Sequence, residues 1–135
     1  QPGEVNAGAV RDLFACSVDV MPTLMEMSGI DEPQPSGVQG SSLAPALSED
    51  DFAIRDDVFI ENPGQRRALR TADMLLTWHG RDTRGELYDL TTDPNCFVNL
   101  WDDPASRECK ADLIDQLLDR MTANVDPLPP QEGPW

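Results

Sequence analysis

Histidine, basic residues and long apolar runs are scarce in this sequence. It holds a single histidine, His79, which excludes a metal site built on paired histidines. Its 10 Lys and Arg face 25 Asp and Glu, and the net charge of −15 repels nucleic-acid phosphates and anionic lipid surfaces. No apolar run approaches the ~20 residues that cross a bilayer. We therefore expect a soluble chain that binds neither nucleic acid nor membrane.

The familiar motifs of hydrolases and nucleotide-binding proteins are also missing. There is no G-x-S-x-G, P-loop, G-x-G-x-x-G or H-E-x-x-H. Cys16, Cys96 and Cys109 form no C-x-x-C pair and have no neighbour that favours a thiolate, so we interpret them as structural thiols, with one disulfide left open. We expect no catalytic residue, no metal ligand and no cofactor in this chain.

The first residues, Gln1-Pro2-Gly3-Glu4, include neither an initiator Met nor a signal-peptide pattern. We expect that the chain was cut or processed upstream, and its cellular compartment stays open. Its 135 residues, 39% of them hydrophobic, suit one ordinary domain with a modest core.

Residues 17–29 carry the pattern of a short helix. Ser17 and Asp19 are cap-forming residues, Pro22 suits a first turn, and Gly29 suits the position after the last turn. Such a helix needs apolar neighbours on several sides, so we expect it to be buried. The apolar residues that cover it are Val18, Val20, Met21, Leu24, Met25, Met27 and Ile30.

Residues 31–57 are rich in Pro, Gly, Ser and Asp and predict a connecting segment with a brief helical turn over 42–47. The next part of the chain predicts a small antiparallel meander, with Ala72-Asp73 as one hairpin loop. Its strands are the short apolar or alternating runs 58–61, 67–71, 74–78 and 86–90.

A second, amphipathic helix is predicted from Pro104 to about Thr122. Asp103 supplies a cap before this proline, and apolar residues recur at helical spacing from Leu113 to Met121. Its polar face carries Asp112, Asp115 and Asp119, which we interpret as a solvated stripe rather than a metal site. The Pro-rich tail, 126–135, predicts an extended segment.

One stretch, residues 66–84, is basic in this acidic chain: it holds Arg66, Arg67, Arg70, His79, Arg81 and Arg84 against Asp73 and Asp82. The hairpin predicts a core face that carries Leu69, Met74, Leu76 and Trp78. The opposite face carries Arg66, Arg70 and His79, which are the candidate substrate-binding residues because a cationic surface attracts anions. The alternative is that these three residues pair with surrounding carboxylates.

Four segments, in this order, resemble the sulfatase family. Residues 17–30 resemble V-D-[IL]-x-P-T-L-L-x-x-A-G-I, and residues 37–43 resemble G-x-x-G-x-S-L. Leu69-Arg70-Thr71 resembles the family's R-T strand, and residues 86–100 resemble E-L-Y-D-L-x-x-D-P-x-E-x-x-N-L. The sequence departs from these patterns at Met74, Asn95 and Cys96. The likeness covers roughly residues 5–125.

The resemblance implies the C-terminal portion of a sulfuric-ester hydrolase of the alkaline-phosphatase-like superfamily. The expected fold is α+β, a small antiparallel four-stranded sheet with a C-terminal amphipathic helix, preceded by a helix of a larger α/β domain that is absent. A calcium ion and a formylglycine, made from the Cys or Ser of a C/S-x-P-x-R motif, are expected in the missing N-terminal part of the parent. No catalytic or metal residue carries over to this chain.

The implied domain organisation has three parts. Residues 1–47 are the end of the large N-terminal domain, with a helix at about 18–28 and a connecting segment. Residues 48–125 are the C-terminal subdomain, and 126–135 are the tail. The expected partners are the missing catalytic domain and, through it, an anionic sulfate ester. The alternatives are a free-standing sulfatase-derived binding or regulatory module, and the same segment of a related phosphodiesterase or phosphonate hydrolase.

Overall fold

The computed structural model describes residues 8–30, 39–62, 66–80 and 84–124. The chain divides into unit 1, residues 1–54 with 124–135, and unit 2, residues 55–123. The predicted α+β class is confirmed, and the predicted tail lies outside the described residues. The helices and strands are α1 (Val20–Met27), β1 (Asp57–Asn62), β2 (Arg66–Thr71), β3 (Met74–Trp78), β4 (Gly85–Asp89) and α2 (Arg107–Ala123).

Helix α1 of unit 1 follows a 3-10 turn over Ser17–Asp19. Asp19 Oδ2 accepts a hydrogen bond from the Cys16 amide at 2.7 Å, so Asp19 rather than Ser17 supplies the side chain that fixes this start. At the other end Ile30 N donates to Met25 O, and Gly29 adopts φ +70°. A glycine accepts this left-handed conformation without a Cβ clash, so the predicted glycine stop is confirmed.

Residues 40–43 of unit 1 are tied to α1 by what we call the polar clamp. The buried Asp19 accepts from Ser41 N at 3.0 Å, and Thr23 Oγ1 accepts from Leu43 N at 2.9 Å. A Cβ on Gly40 would lie 1.9 Å from the Val18 carbonyl oxygen, so only glycine fits unless the backbone moves. A 3-10 turn over Ala44–Leu47 follows, close to the predicted turn.

The sheet of unit 2 is an antiparallel meander in the order β1-β2-β3-β4. Arg67 pairs with Trp78 and Leu69 with Leu76, as the hairpin around Ala72-Asp73 predicted. Side chains alternate between the two faces of a strand. We call the side that carries Leu69 and Leu76 the inner face, and the opposite side the outer face.

Helix α2 covers the inner face and closes a leucine core. Strand alternation and helical spacing bring together Leu69, Leu76, Leu87, Leu113 and Leu117, and the first three have 0% exposure. Asp103 caps the preceding 3-10 turn by accepting from Ala105 N at 3.2 Å, with Pro104 at the first position, so this predicted start is confirmed. Of the described helices, none combines the length and hydropathy of a membrane span.

An ion pair between the buried Asp57 and the partly exposed Arg120 joins the first strand to α2. Asp57, 4% exposed, accepts two hydrogen bonds from Arg120, at 2.8 and 2.7 Å, and one from Gln116 at 2.8 Å. The hydrogen bonds and charge of Asp57 raise the pKa of the Arg120 guanidinium. Because the carboxylate is fully hydrogen-bonded, its burial is tolerated and it fixes how α2 lies on the sheet.

Candidate functional site

The outer face of the sheet holds the candidate site residues. Since Arg67 and Leu69 lie on the inner face, the alternation of β2 puts Arg66, Ala68 and Arg70 on the outer face. Arg67 instead pairs with Glu61 at 2.9 Å. The three predicted residues Arg66, Arg70 and His79 therefore share a face, while Arg81 lies outside the described residues.

Arg66 and His79 come together at one edge of this face. Continuing the β2–β3 register one residue beyond the Arg67–Trp78 pair puts His79 opposite Arg66. His79 Nε2 lies 3.5 Å from Glu86 Oε1 on β4. The histidine thus has the carboxylate neighbour that the ion-pair alternative predicts. The exposed Arg66 has no carboxylate partner among the residues that the structure describes.

Arg84 belongs to the same row of positions, although sequence reasoning did not select it. The β3–β4 register pairs Trp78 with Gly85, so the next step sets Arg84 beside His79. Neighbouring strands lie ~4.8 Å apart, which puts the three positions within reach of one small anion. We call Arg66, His79 and Arg84 the cationic row. The signal that locates Arg84 is the residue pairing across the β3–β4 hairpin, which follows from the same alternation as that of the β2–β3 hairpin.

Arg70 stands apart from the cationic row. It lies four residues beyond Arg66 on β2, a separation of ~13 Å along an extended strand. Its cross-strand neighbours are Val58 on β1 and Leu75 on β3. Arg70 therefore lies outside the row formed by Arg66, His79 and Arg84.

Glu86 and Tyr88 lie on the outer face of β4, with Glu86 next to the cationic row and Tyr88 opposite Leu75, level with Arg70. Both alternate with the buried Leu87 on β4, and that pattern was readable in the sequence. Partial burial, and then the neighbouring Glu86 charge, raise the pKa of the Tyr88 phenol, which stays protonated at neutral pH. The cationic row therefore offers hydrogen-bond donors that can bind and orient an anion, with the Glu86 carboxylate beside them.

Helix α1 presents an apolar surface in unit 1. Val20 and Leu24 are 55% and 59% exposed, and Met21, Met27 and Ile30 are about half exposed. The described residues do not supply the burial that the sequence predicts for this helix. Adjacent apolar side chains left open on a clamped helix are typical of an interaction surface.

The described residues offer neither a metal-binding group nor an activated thiol. No group of three or more His, Cys, Asp or Glu side chains could hold a metal within the described ranges, and Asp112, Asp115 and Asp119 are exposed along α2. All three cysteines are free thiols. Partial burial, and then the charges of Asp112 and Asp89, raise the pKa of the Cys109 thiol, which disfavours a reactive thiolate.

Comparisons with known proteins agree with this fold. The chain is 29% identical over 90% of its length to the multifunctional alkaline phosphatase superfamily protein PehA of Trinickia caryophylli. It is 24% identical over 97% of its length to the N-acetylglucosamine-6-O-sulfatase of Bacteroides thetaiotaomicron. These matches cover 27% and 25% of the two proteins, so the chain spans about a quarter of their length.

A solved structure and a family model complete the comparison. A protein solved in complex with its substrate D-glucosamine-2-N,6-O-disulfate matches 98% of this chain and 29% of its own, with a TM-score of 0.78 at 24% identity, which shows a shared fold. The model of the family described as N-sulphoglucosamine sulphohydrolase, C-terminal, matches residues 1–123. Because this match covers nearly the whole chain, the chain belongs to the C-terminal family of the N-sulphoglucosamine sulphohydrolases, within the sulfatases of the alkaline-phosphatase-like superfamily.

Proposed function

We propose that this chain is the C-terminal segment of a sulfatase-like hydrolase of sulfate esters and does not carry out catalysis alone. The family match over residues 1–123 carries the proposal. The geometry supports it, because the described residues provide a folded sheet and a cationic row but no metal-binding group. The chain therefore contributes structure and substrate contacts to a parent enzyme.

The chemistry that the family implies is assigned to the rest of the parent. Calcium would offset sulfate charge and formylglycine would supply the nucleophile, but the described carboxylates and thiols form no suitable donor set. We accordingly place both groups in the N-terminal catalytic domain. Residues 1–135 by themselves are expected to show no turnover of an aryl sulfate above buffer.

Residues 1–47 are proposed to complete that catalytic domain. The apolar side of α1, around Leu24, would pack against it and remove the exposed methionines from water. The polar clamp supports this role because it holds α1 in place before the partner binds, which lowers the entropy cost of docking. Residues 48–125 are proposed to form the C-terminal subdomain.

The cationic row is proposed to lie at the lip of the active-site cleft and to admit the anionic substrate. Arg66, His79 and Arg84 would act through orientation and electrostatic field, and make or break no bond. Arg70 was predicted to join them, but it lies ~13 Å along β2 from Arg66, outside this row. The substrate class at this lip is a sulfate ester.

Steady-state kinetics on the full-length parent test the lip. Arg66→Ala and His79→Ala are expected to raise KM for 4-nitrophenyl sulfate about tenfold, to leave kcat within about twofold, and to weaken the salt dependence of kcat/KM. Arg107→Ala is the matched control, since Arg107 is an exposed arginine on α2. Unchanged KM and salt dependence in both row variants would show that these residues are ordinary surface groups.

Hydrolysis of phosphate esters is the second candidate function. It is favoured by the 29% identity to an alkaline phosphatase superfamily protein, higher than the 24% identity to the sulfatase. A cationic row attracts a phosphodiester or a phosphonate monoester as well as a sulfate. Comparing kcat/KM of the parent for 4-nitrophenyl sulfate, bis(4-nitrophenyl) phosphate and a 4-nitrophenyl phosphonate separates the two functions, and a preference for either phosphorus ester contradicts the sulfatase proposal.

A further inference from the structure

Arg70 lies in surroundings that differ from those of the cationic row. It is exposed on the outer face between Val58 and Leu75, and these two aliphatic neighbours are half-buried. Ile60, on the same face of β1, remains 37% exposed. Arg70 is thus a guanidinium set in an apolar part of the sheet, about 13 Å from the row that we assign to substrate.

Three other arginines of this acidic chain pair with carboxylates. Arg11 pairs with Asp50 at 2.6 Å, Arg67 with Glu61 at 2.9 Å, and Arg120 with Asp57 at 2.7 Å. Arg70 makes no ion pair or hydrogen bond through its side chain with any of the residues that the structure describes. The exposed Arg66 shares this lack, but its cross-strand neighbours are Asn62 and His79, whereas those of Arg70 are aliphatic.

An arginine flanked by aliphatic side chains has the composition of an interface anchor. The guanidinium offers a planar set of donors that fits a carboxylate with two parallel hydrogen bonds. Aliphatic neighbours exclude water around such a pair once a partner covers them, which strengthens the interaction. This outer-face region therefore fits a protein surface that brings one Asp or Glu against Arg70.

We propose that Arg70, with Val58 and Leu75, forms a docking point for a carboxylate carried by the N-terminal catalytic domain of the parent. The inference rests on the proposed function, because it takes that domain as the partner. Curated relatives are about four times longer than the region they share with this chain, so a parent of that kind has ample surface to supply the acid. Arg70 thus joins domains, and the cationic row faces substrate.

The test measures thermal unfolding of the full-length parent at low and high salt. Arg70→Met keeps an aliphatic stem and removes the charge, and it is expected to raise the unfolding equilibrium constant on the order of tenfold at low salt. Arg70→Lys keeps the charge and is expected to recover much of the loss. The stability difference between wild type and Arg70→Met should shrink in 1 M NaCl, where the screening length is only about 3 Å. Loss of packing alone would not depend on salt in this way. Arg107→Met is the control and should behave as wild type.

Three outcomes overturn the inference. Equal stability of Arg70→Met and Arg107→Met would mean that Arg70 faces solvent. An unchanged stability with a raised KM for 4-nitrophenyl sulfate would put Arg70 at the substrate lip. An equal, salt-sensitive loss in residues 1–135 alone would place the acid within this chain. The proposed function is tested separately, by measuring hydrolysis of 4-nitrophenyl sulfate by the wild-type parent.

Discussion

The two units of this chain use their apolar side chains in opposite ways. In unit 2, Leu69, Leu76 and Leu87 are fully buried between the sheet and α2. In unit 1, Leu24 is 59% exposed, and the described segments around it are held by the polar clamp of Asp19 and Thr23. Unit 2 therefore closes a core of its own, whereas the described part of unit 1 leaves apolar side chains of α1 open.

This difference indicates which unit depends on a partner. Full burial of a leucine contributes about 2 kcal/mol, whereas a typical hydrogen bond contributes a net of about 1 kcal/mol. A leucine core can stabilise unit 2 in isolation, while a few clamp hydrogen bonds stabilise only the local geometry of unit 1. We expect unit 1 to gain further stability when another surface covers α1. Four experiments test this comparison.

The largest expected effect comes from the core of unit 2. Leu76→Ala removes a fully buried side chain from the middle strand pair and should lower the free energy of unfolding of unit 2 by about 3 kcal/mol. Urea denaturation of residues 1–135 measures the loss. Leu118→Ala, on the exposed side of α2, is the control and should cost about 0.5 kcal/mol or less. Equal losses would show that the leucine core does not dominate unit 2.

The next effect is local to unit 1. Gly40→Ala forces a Cβ against the Val18 carbonyl, so the backbone of the clamp must shift, at a cost of about 2 kcal/mol. Faster hydrogen exchange at the Ser41 and Leu43 amides is expected, with core amides of unit 2 unchanged. Ser48→Ala, an exposed position outside the clamp, should change neither set. If unit 2 also exchanges faster, the two units are coupled and the comparison fails.

A smaller, pH-dependent effect belongs to unit 2. Hydrogen bonds from the Thr91 side chain and backbone, and then from Thr92, lower the pKa of Asp89 below its ordinary 3.8. Because the pKa of Asp89 is lower in the folded than in the unfolded state, the ionised carboxylate stabilises the fold at pH values above its unfolded-state pKa. This contribution to stability is lost as the pH falls through the folded-state pKa. Thermal melts between about pH 5 and pH 2 should therefore fall more steeply for wild type than for Asp89→Asn. Asp115→Asn, exposed on α2, should follow wild type, and an identical slope in Asp89→Asn would contradict the prediction.

The smallest change in stability is expected for α1. Leu24→Gln exchanges an exposed leucine for a polar side chain, so the stability of residues 1–135 should stay within about 0.5 kcal/mol while binding of a hydrophobic dye falls. The same change in the full-length parent should cost on the order of 2 kcal/mol, because there the leucine is covered. A loss in residues 1–135 as large as in the parent would show that α1 is already buried in this chain.

Local sequence signals predicted the elements of both units well. The alternation of β2 and β3 and the two-residue loop at Ala72-Asp73 predicted the register that pairs Leu69 with Leu76, which is confirmed. Gly29 and Asp103 marked a helix end and a helix start for conformational reasons that need only neighbouring residues. Strand bounds differ from the prediction by one residue at several ends, where pairing partners decide how far a strand extends.

The candidate site was only partly readable from the sequence. Alternation placed Arg66, Arg70 and His79 on one face, but their proximity depended on strand registers and on spacing along β2. Arg84 was missed because residue pairing was predicted across the β2–β3 hairpin but not across the β3–β4 hairpin. That these residues bind substrate stays a prediction, because their location on one face of the sheet does not identify the molecule that contacts this face.

The sequence by itself determined the family, the order of the elements and the leucine positions of the core, because periodicity, caps and turn residues act over a few neighbours. Only the tertiary structure decided the contact of Gly40 with Val18, the ion pair of Asp57 with Arg120 and the isolation of Arg70. These depend on distances between residues far apart in the chain. Asp57 and Arg120 are 63 positions apart, and no local pattern specifies which carboxylate meets which guanidinium until the sheet and α2 have packed.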